Sequence, residues 1–220
     1  MPRLDERLKK VAQQIRVKTH ADIGSDHAHL LVALLRSGRI TKGIAIENKQ
    51  QPLLHSQSAL CDLNAESRLA DGLDGLAVGE VDSLSICGMG AESIVSILDS
   101  GPERIPELVV LQPNRRADLI RKWGIRSGYQ LVDEQIAFGH WPYVILTYRK
   151  SAQDVDPVYQ HIDHQADLLL GPWLLKRREA EFVDLLREEQ RYWQQFKQIS
   201  EASLERRNAV QRVLERWDLL

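Results

Sequence analysis

Residues 19–30 read T-H-A-D-I-G-S-D-H-A-H-L, and the fold of the 220-residue chain can be read outward from them. The stretch opens on β-type residues and breaks at Asp22-Ile23-Gly24-Ser25-Asp26. It then runs into a helical pattern, Ala28, Leu30, Leu31, Ala33, Leu34 and Leu35. A strand that ends in Asp-x-Gly and opens a helix presents bare backbone N–H groups beside a residue without Cβ. That is how an α/β protein lets a nucleotide-like ligand approach its main chain.

The flanking chain fits this reading. Residues 4–15 predict a helix with Leu4, Leu8, Val11, Ala12 and Ile15 on one face. Arg3, Arg7, Lys9, Lys10, Arg16 and Lys18 lie on the other, either a solvated face or a small basic patch for a phosphate backbone. After the opening turn, Gly38 stops the first helix, and residues 42–46 form a short buried strand ending at Glu47. A helix over residues 50–63 follows, then a third strand leading to Asp71-Gly72-Leu73. A fourth strand (82–86) ends in Cys87-Gly88-Met89-Gly90, and residues 91–98 are helical. An apolar strand (107–111) ends in Gln112-Pro113-Asn114, a helix runs to Gly128, and strands at 130–136 and 143–149 close the series. Short, continuously apolar strands alternating with helices indicate a parallel sheet covered on both faces, wound right-handed. The unusual loops then gather at the carboxyl edge, where such sheets bind ligands.

From residue 151 the style changes to a polar linker, a helix over 159–170 and a Gly171-Pro172 break. Residues 173–220 contain neither Gly nor Pro, and apolar residues recur at three- and four-residue steps. A helical hairpin is favoured over one long helix, with Ser200 or Ser203 capping its second arm. The expected division is 1–150 and 151–220. No apolar run approaches the ~18 residues of a membrane span. The N-terminus has no apolar signal-peptide segment, so a cytoplasmic protein is expected. Cys61 and Cys87, without a CxxC or a Cys/His cluster, argue against a disulfide framework or zinc site. A net charge of -2 gives no global case for nucleic-acid binding.

The first loop distinguishes two ligands. A dinucleotide site wants G-x-G-x-x-G, but here one glycine is followed by Ser25, Asp26 and His27. Asp22 and Asp26 would repel a pyrophosphate; they suit S-adenosylmethionine, with its amino group and sulfonium. Glu47, followed by Asn48, is placed to accept ribose hydroxyls, and Asp71 the adenine amino group. Gly88 and Gly90 let the fourth strand pass close to the ligand, with Met89 as an apolar wall. Gln112 and Asn114, held by Pro113, carry neutral amides suited to the edge of a base. A proline turn with Asn114 as N-cap is the plainer reading. Arg115 and Arg116 stand where a phosphate could be met, or on a solvated helix face. His27 and His29, two apart on a predicted helix, should point away from each other and share no metal. His140-Trp141-Pro142-Tyr143 offers either an aromatic wall or a hairpin core.

Taken together, R-L and V-A near the start, A-D-I-G-S-D-H-A-H-L, D-G-L, G-M-G and L-Q-P-N resemble the bacterial tRNA (adenine(22)-N1)-methyltransferase family over residues 7–149. The resemblance implies an α/β, Rossmann-like class I methyltransferase sheet with an appended C-terminal α-helical, coiled-coil-like domain that helps hold tRNA. It implies S-adenosylmethionine as cofactor, tRNA as partner and no metal. Asp22, Gly24, Asp26, His27, Glu47, Asn48, Asp71, Gly72, Gly88, Met89 and Gly90 fall on its cofactor motifs. Gln112, Pro113, Asn114, Arg115, Arg116, Lys9 and Lys10 fall to the tRNA, with Gln112 and Asn114 orienting the base and Asp26 or His27 taking a proton. Ala91 stands where the family carries a further glycine, and A-I-E-N-K-Q-Q-P departs from its second motif. A monomer is favoured. The rival readings are a methyltransferase for a small molecule or protein, and a non-catalytic cofactor-binding or coiled-coil interaction protein.

Overall fold

The computed structural model describes residues 4–153, 156–159, 163–196 and 198–219. The chain divides into two compact units, Met1–Asp154 and Val155–Leu220. Parts of three predicted features lie outside the described residues: Arg3 of the basic face, residues 154–155 and 160–162 of the linker and the helix after it, and Lys197 and Leu220 of the last helical stretch.

The first unit is a seven-stranded sheet in the order β3-β2-β1-β4-β5-β7-β6. Its strands are β1 (Thr19–Ile23), β2 (Lys42–Glu47), β3 (Ala65–Leu69), β4 (Ser83–Met89), β5 (Leu108–Pro113), β6 (Tyr129–Phe138) and β7 (Pro142–Lys150). β1 to β5 run parallel to one another, while β7 inserts antiparallel between β5 and β6. β1, β2 and β5 are buried almost throughout and β4 over Ser83–Ile86, which explains the apolar runs of β2 and β5. Helices α1 (Glu6–Gln14), α2 (His29–Arg36), α3 (Gln50–Leu60), α4 (Ala91–Ser100) and α5 (Ala117–Arg126) supply the covering layers. Val11, Ile15, Leu30, Leu31 and Leu34 form part of one core cluster. On α5, Trp123 stacks on Tyr129 and meets Tyr148 edge-on. A Cβ at Gly124 would come within 2.3 Å of the Tyr148 ring.

Several boundaries differ from expectation for local reasons. β4 continues through Cys87 and Gly88 to Met89 because a bulge with Gly88 at φ 75° lets the strand keep pairing with β5. Asn114 does not cap α5; that helix opens from Arg116, in the left-handed region at φ 59°, without a side-chain cap.

In the second unit, α6 (His164–Leu170), α7 (Pro172–Arg177), α8 (Ala180–Trp193) and α9 (Glu201–Arg216) replace the predicted helix and hairpin. The stretch without Gly or Pro is broken once more than expected, at Arg178, which takes φ 51° as the C-cap of α7. Ser200 caps α9, its side chain accepting from the Ser203 N–H. Glu189 on α8 receives Arg206 of α9, which also donates to the Leu169 carbonyl on α6. No helix among the described residues is long and apolar enough to cross a membrane.

Candidate active site

Four strand ends and one helix start enclose a cavity of about 550 Å³ at the carboxyl edge of the sheet. Gly24 after β1, Glu47 and Asn48 after β2, Asp71 and Gly72 after β3 and Met89 at the end of β4 all line it. The first turn of α4 adds Glu92 and Ser93, with Ser96 and Ile97 behind them. These α4 residues were missed in the sequence; the signal was a helix beginning directly after G-M-G. Three carboxylates and no basic side chain face the cavity, the charge balance of a cationic ligand and not of a pyrophosphate.

Gly24 sits at φ 71° and its N–H donates to the Ile46 carbonyl, locking the β1 turn to β2. A Cβ there would stand 2.2 Å from the Met89 methyl, so the glycine is what lets these two loops approach. Glu47 is buried, and its carboxylate accepts from the Asp26 N–H. Burial pushes the Glu47 pKa up, aided by the charges of Asp22 and Asp26 and opposed by that N–H.

Asp22 does not line the cavity. It is buried in the sheet, accepting from Ser85 on Oδ1 (2.5 Å) and Ser25 on Oδ2 (2.8 Å). Ser85 is also 2.9 Å from His20 Nε2, and Ser83 is 2.7 Å from His20 Nδ1. This network shapes the loop from behind. Burial raises the Asp22 pKa to about 6, against the pull of both serines and Arg7. Burial also holds His20 neutral down to about 3. The two groups act oppositely on stability. Asp22 binds its proton more tightly when folded, so its contribution, about 3 kcal/mol, is lost as pH rises from about 4 to 6. His20 binds its proton more weakly when folded, so its contribution, about 5 kcal/mol, is lost as pH falls from about 6.5 to 3. Asp22→Asn removes only the first. Urea unfolding midpoints of this variant should therefore fall more steeply than wild type between pH 6 and pH 4; parallel slopes would contradict the assignment.

The amide loop after β5 lies beside the G-M-G strand end. Gln112 is fully buried and fully engaged. Its Oε1 accepts from Arg7 (2.6 Å) and from the Gly88 N–H (3.1 Å), and its Nε2 donates to the Pro113 carbonyl (2.8 Å). In this structure it braces the loop, its amide bonded to Arg7, Gly88 and Pro113, where it had been expected to orient a base. Asn114 is exposed; its Nδ2 donates to the Gly88 carbonyl (2.7 Å) and its N–H to the Met89 carbonyl (2.8 Å). Sequence places Arg7 on a basic helix face and in the R-L motif, without a partner role. In the structure it lies 5.8 Å from the Tyr143 ring centroid, within reach of the Gln112 amide and 3.3 Å from where a Gly88 Cβ would stand.

Other predicted residues fall elsewhere. Lys10 donates to the Ile136 carbonyl and ties α1 to β6; Lys9 pairs with Glu6. Arg116 pairs with Asp118, and Arg115 is exposed. His27 and His29 do not diverge: their rings stack at 5.5 Å because Ala28, at φ 51°, turns the chain before α2 begins at His29. Trp141 is 65% exposed at the β6–β7 turn.

This sheet order, with β7 antiparallel and an acidic, nucleoside-sized cavity at the carboxyl edge, defines a class I methyltransferase. Residues 20–217 match the family described as tRNA (adenine(22)-N(1))-methyltransferase. The Bacillus subtilis (strain 168) protein of that name is 32% identical, covering 99% of this chain and 95% of that protein. The crystal structure of the B. subtilis M1A22 tRNA methyltransferase TrmK superposes with a TM-score of 0.80 at 30% identity, covering 100% of this chain and 97% of that one. The Streptococcus pneumoniae protein Sp1610, solved in complex with S-adenosyl-L-methionine, gives 0.83 at 27% identity, covering 96% and 100%. The chain belongs to the tRNA (adenine(22)-N(1))-methyltransferase family. It is an enzyme of tRNA modification, and S-adenosylmethionine is the methyl donor of its family.

Proposed function

We propose that the carboxyl-edge cavity holds S-adenosylmethionine and that Asn114 presents adenine 22 of tRNA to it. The cavity fits the donor in size and charge. Glu47 would accept the ribose hydroxyls, Asp71 the adenine amino group, and Gly24, Gly72 and Met89 would let the nucleoside pack against backbone and thioether. Asp26 shapes the site by donating its N–H to Glu47. The bound donor supplies an electrophilic methyl on a sulfonium.

The observation that carries the acceptor reading is the state of the Asn114 amide. Its Nδ2 is spent on the Gly88 carbonyl, and no hydrogen bond to Oδ1 is recorded among the described residues. An acceptor there takes a hydrogen bond from the 6-amino group of adenine and leaves the N1 lone pair free to attack the methyl carbon. Fixing that lone pair in line with the sulfur–carbon bond is worth far more to the rate than any proton transfer. After transfer the base is cationic, and the carboxylate of Asp26 or the imidazole of His27 takes the proton it sheds. Gln112 and Arg7 act through the loop as positioning residues.

The second unit, from about residue 151, is the proposed tRNA-holding helical domain. Support comes from Arg187, Arg191 and Arg207, which line a groove of about 860 Å³ in the α8–α9 region. We place the enzyme in the cytoplasm as a monomer.

Incubation with labelled S-adenosylmethionine and bulk tRNA, followed by a mass-resolved nucleoside digest, should yield 1-methyladenosine. Label in protein or in free nucleotides with none in tRNA would overturn the acceptor assignment. Within that assay Asn114→Ala should lower kcat by about a hundredfold, the size of losing one well-placed contact together with alignment. Arg7→Ala should lower kcat/KM for tRNA by about tenfold with unchanged donor affinity, and Arg7→Lys should restore part of it.

A further inference from the structure

We propose that Asp26, His27 and His55 form a binding site for a divalent transition-metal ion, set on the cofactor loop and sharing Asp26 and His27 with the proposed methyl-transfer site. His55 comes from α3 and plays no part in the site described above. Its Nδ1 lies 3.8 Å from Asp26 Oδ1, and His27 Nε2 lies 3.9 Å from the same oxygen. One ligand atom from each of the three residues falls within 4.8 Å of the others. Ligands of a single tetrahedral zinc, with bonds of about 2.0–2.1 Å, stand roughly 3.4 Å apart. The two carboxylate–imidazole separations therefore need to close by about half an ångström, and the two imidazole nitrogens, within 4.8 Å of each other, by at most about 1.4 Å.

Two further observations favour an ion over a surface cluster. The Nδ1 of His55 is sealed from solvent and makes no hydrogen bond. A sealed imidazole nitrogen without a partner is costly unless something else takes its lone pair. The Asp26 backbone is also held from both sides, its N–H on Glu47 and its carbonyl receiving Ser56 Oγ at 2.5 Å, so its carboxylate projects from a fixed point at φ 45°. One movement is required. His27 now stacks on His55 at 4.6 Å and 9°, and a metal cannot lie in the planes of two parallel rings. The His27 side chain is 54% exposed and can turn out of the stack.

Two imidazole nitrogens and one carboxylate oxygen suit Zn²⁺, Ni²⁺ or Cu²⁺, and not Mg²⁺ or Ca²⁺. The site requires no methyl transfer and is tested without it, so its failure and the failure of the proposed function are distinguishable.

The test is calorimetric titration of the full chain with Zn²⁺ in a non-chelating buffer. Wild type should bind one equivalent with a Kd on the order of 10 μM or tighter. His55→Gln and Asp26→Asn should each weaken binding at least tenfold, roughly the smallest loss seen even for outer-shell partners. His29→Gln, which removes the neighbouring imidazole of the stack but no ligand, should bind as wild type does. Absence of saturable binding below about 100 μM would overturn the proposal. So would His55→Gln binding like wild type, or His29→Gln losing as much as His55→Gln.

Discussion

Glu47→Gln should weaken S-adenosylmethionine binding by about thirty- to a hundredfold. A hydrogen bond to a charged group contributes about 1.5–3 kcal/mol, and the amide keeps only one of two acceptor oxygens. Its new NH₂ also has no acceptor on a ribose hydroxyl already oriented to donate. A second loss comes from the protein. The Asp26 N–H now donates to Glu47, and a neutral amide holds it less firmly, so the first loop loosens as the ribose contact weakens. Titration calorimetry with the donor measures the sum, and thermal melting of the free protein separates binding from folding. A change below about threefold, with an unchanged melting curve, would remove Glu47 from the ribose contact.

The largest stability effect is expected far from the cavity. Arg121 on α5 donates from Nε (2.8 Å) and Nη2 (2.7 Å) to Oε1 of Glu134 on β6. Their side chains are 1% and 0% exposed. A buried pair adds little net stability over an apolar one, but removing one partner strands the other charge away from water. Arg121→Met should therefore cost about 3–5 kcal/mol in urea unfolding, while Arg121→Met combined with Glu134→Leu recovers most of it. If the single variant unfolds like wild type, the Glu134 carboxylate must be finding water. Such a loss is a large share of the about 5–15 kcal/mol that holds a domain folded.

Much of the sheet was legible because its strands are buried on both faces and bounded by glycine. The order of the last two strands was not, since periodicity fixes the element and not its neighbour; β7 entering between β5 and β6 is decided by pairing across the sheet. Glu47, Asp71 and Met89 reached the cavity as read because each ends a parallel strand, and parallel strands deliver their ends to one edge. Asp22 and Gln112 were assigned to ligands from their strand-end loops and motifs. What sequence could not show is their burial, with polar atoms bonded inside the protein. The misreading of His27 and His29 has a local cause. Helical spacing was applied across Ala28, whose left-handed backbone no alanine advertises. Arg7 could not have been found by motif, because its partner lies 105 positions away. His55 was invisible for the same reason, as Asp26 is 29 residues upstream in sequence and adjacent only after α3 folds back.

The Arg7–Gln112 bond also bears on how the enzyme is made. A nine-residue helix such as α1 is a poor helix on its own in water. During synthesis it leaves the ribosome before β5, and Arg7 waits for β5 to be translated and threaded beside β4. At about 5–20 residues per second, that wait lasts on the order of 5–20 seconds. The Arg7 brace on the loop after β5 can thus form only once the ends of β1 to β4 have been translated, while β6 and β7 still follow it.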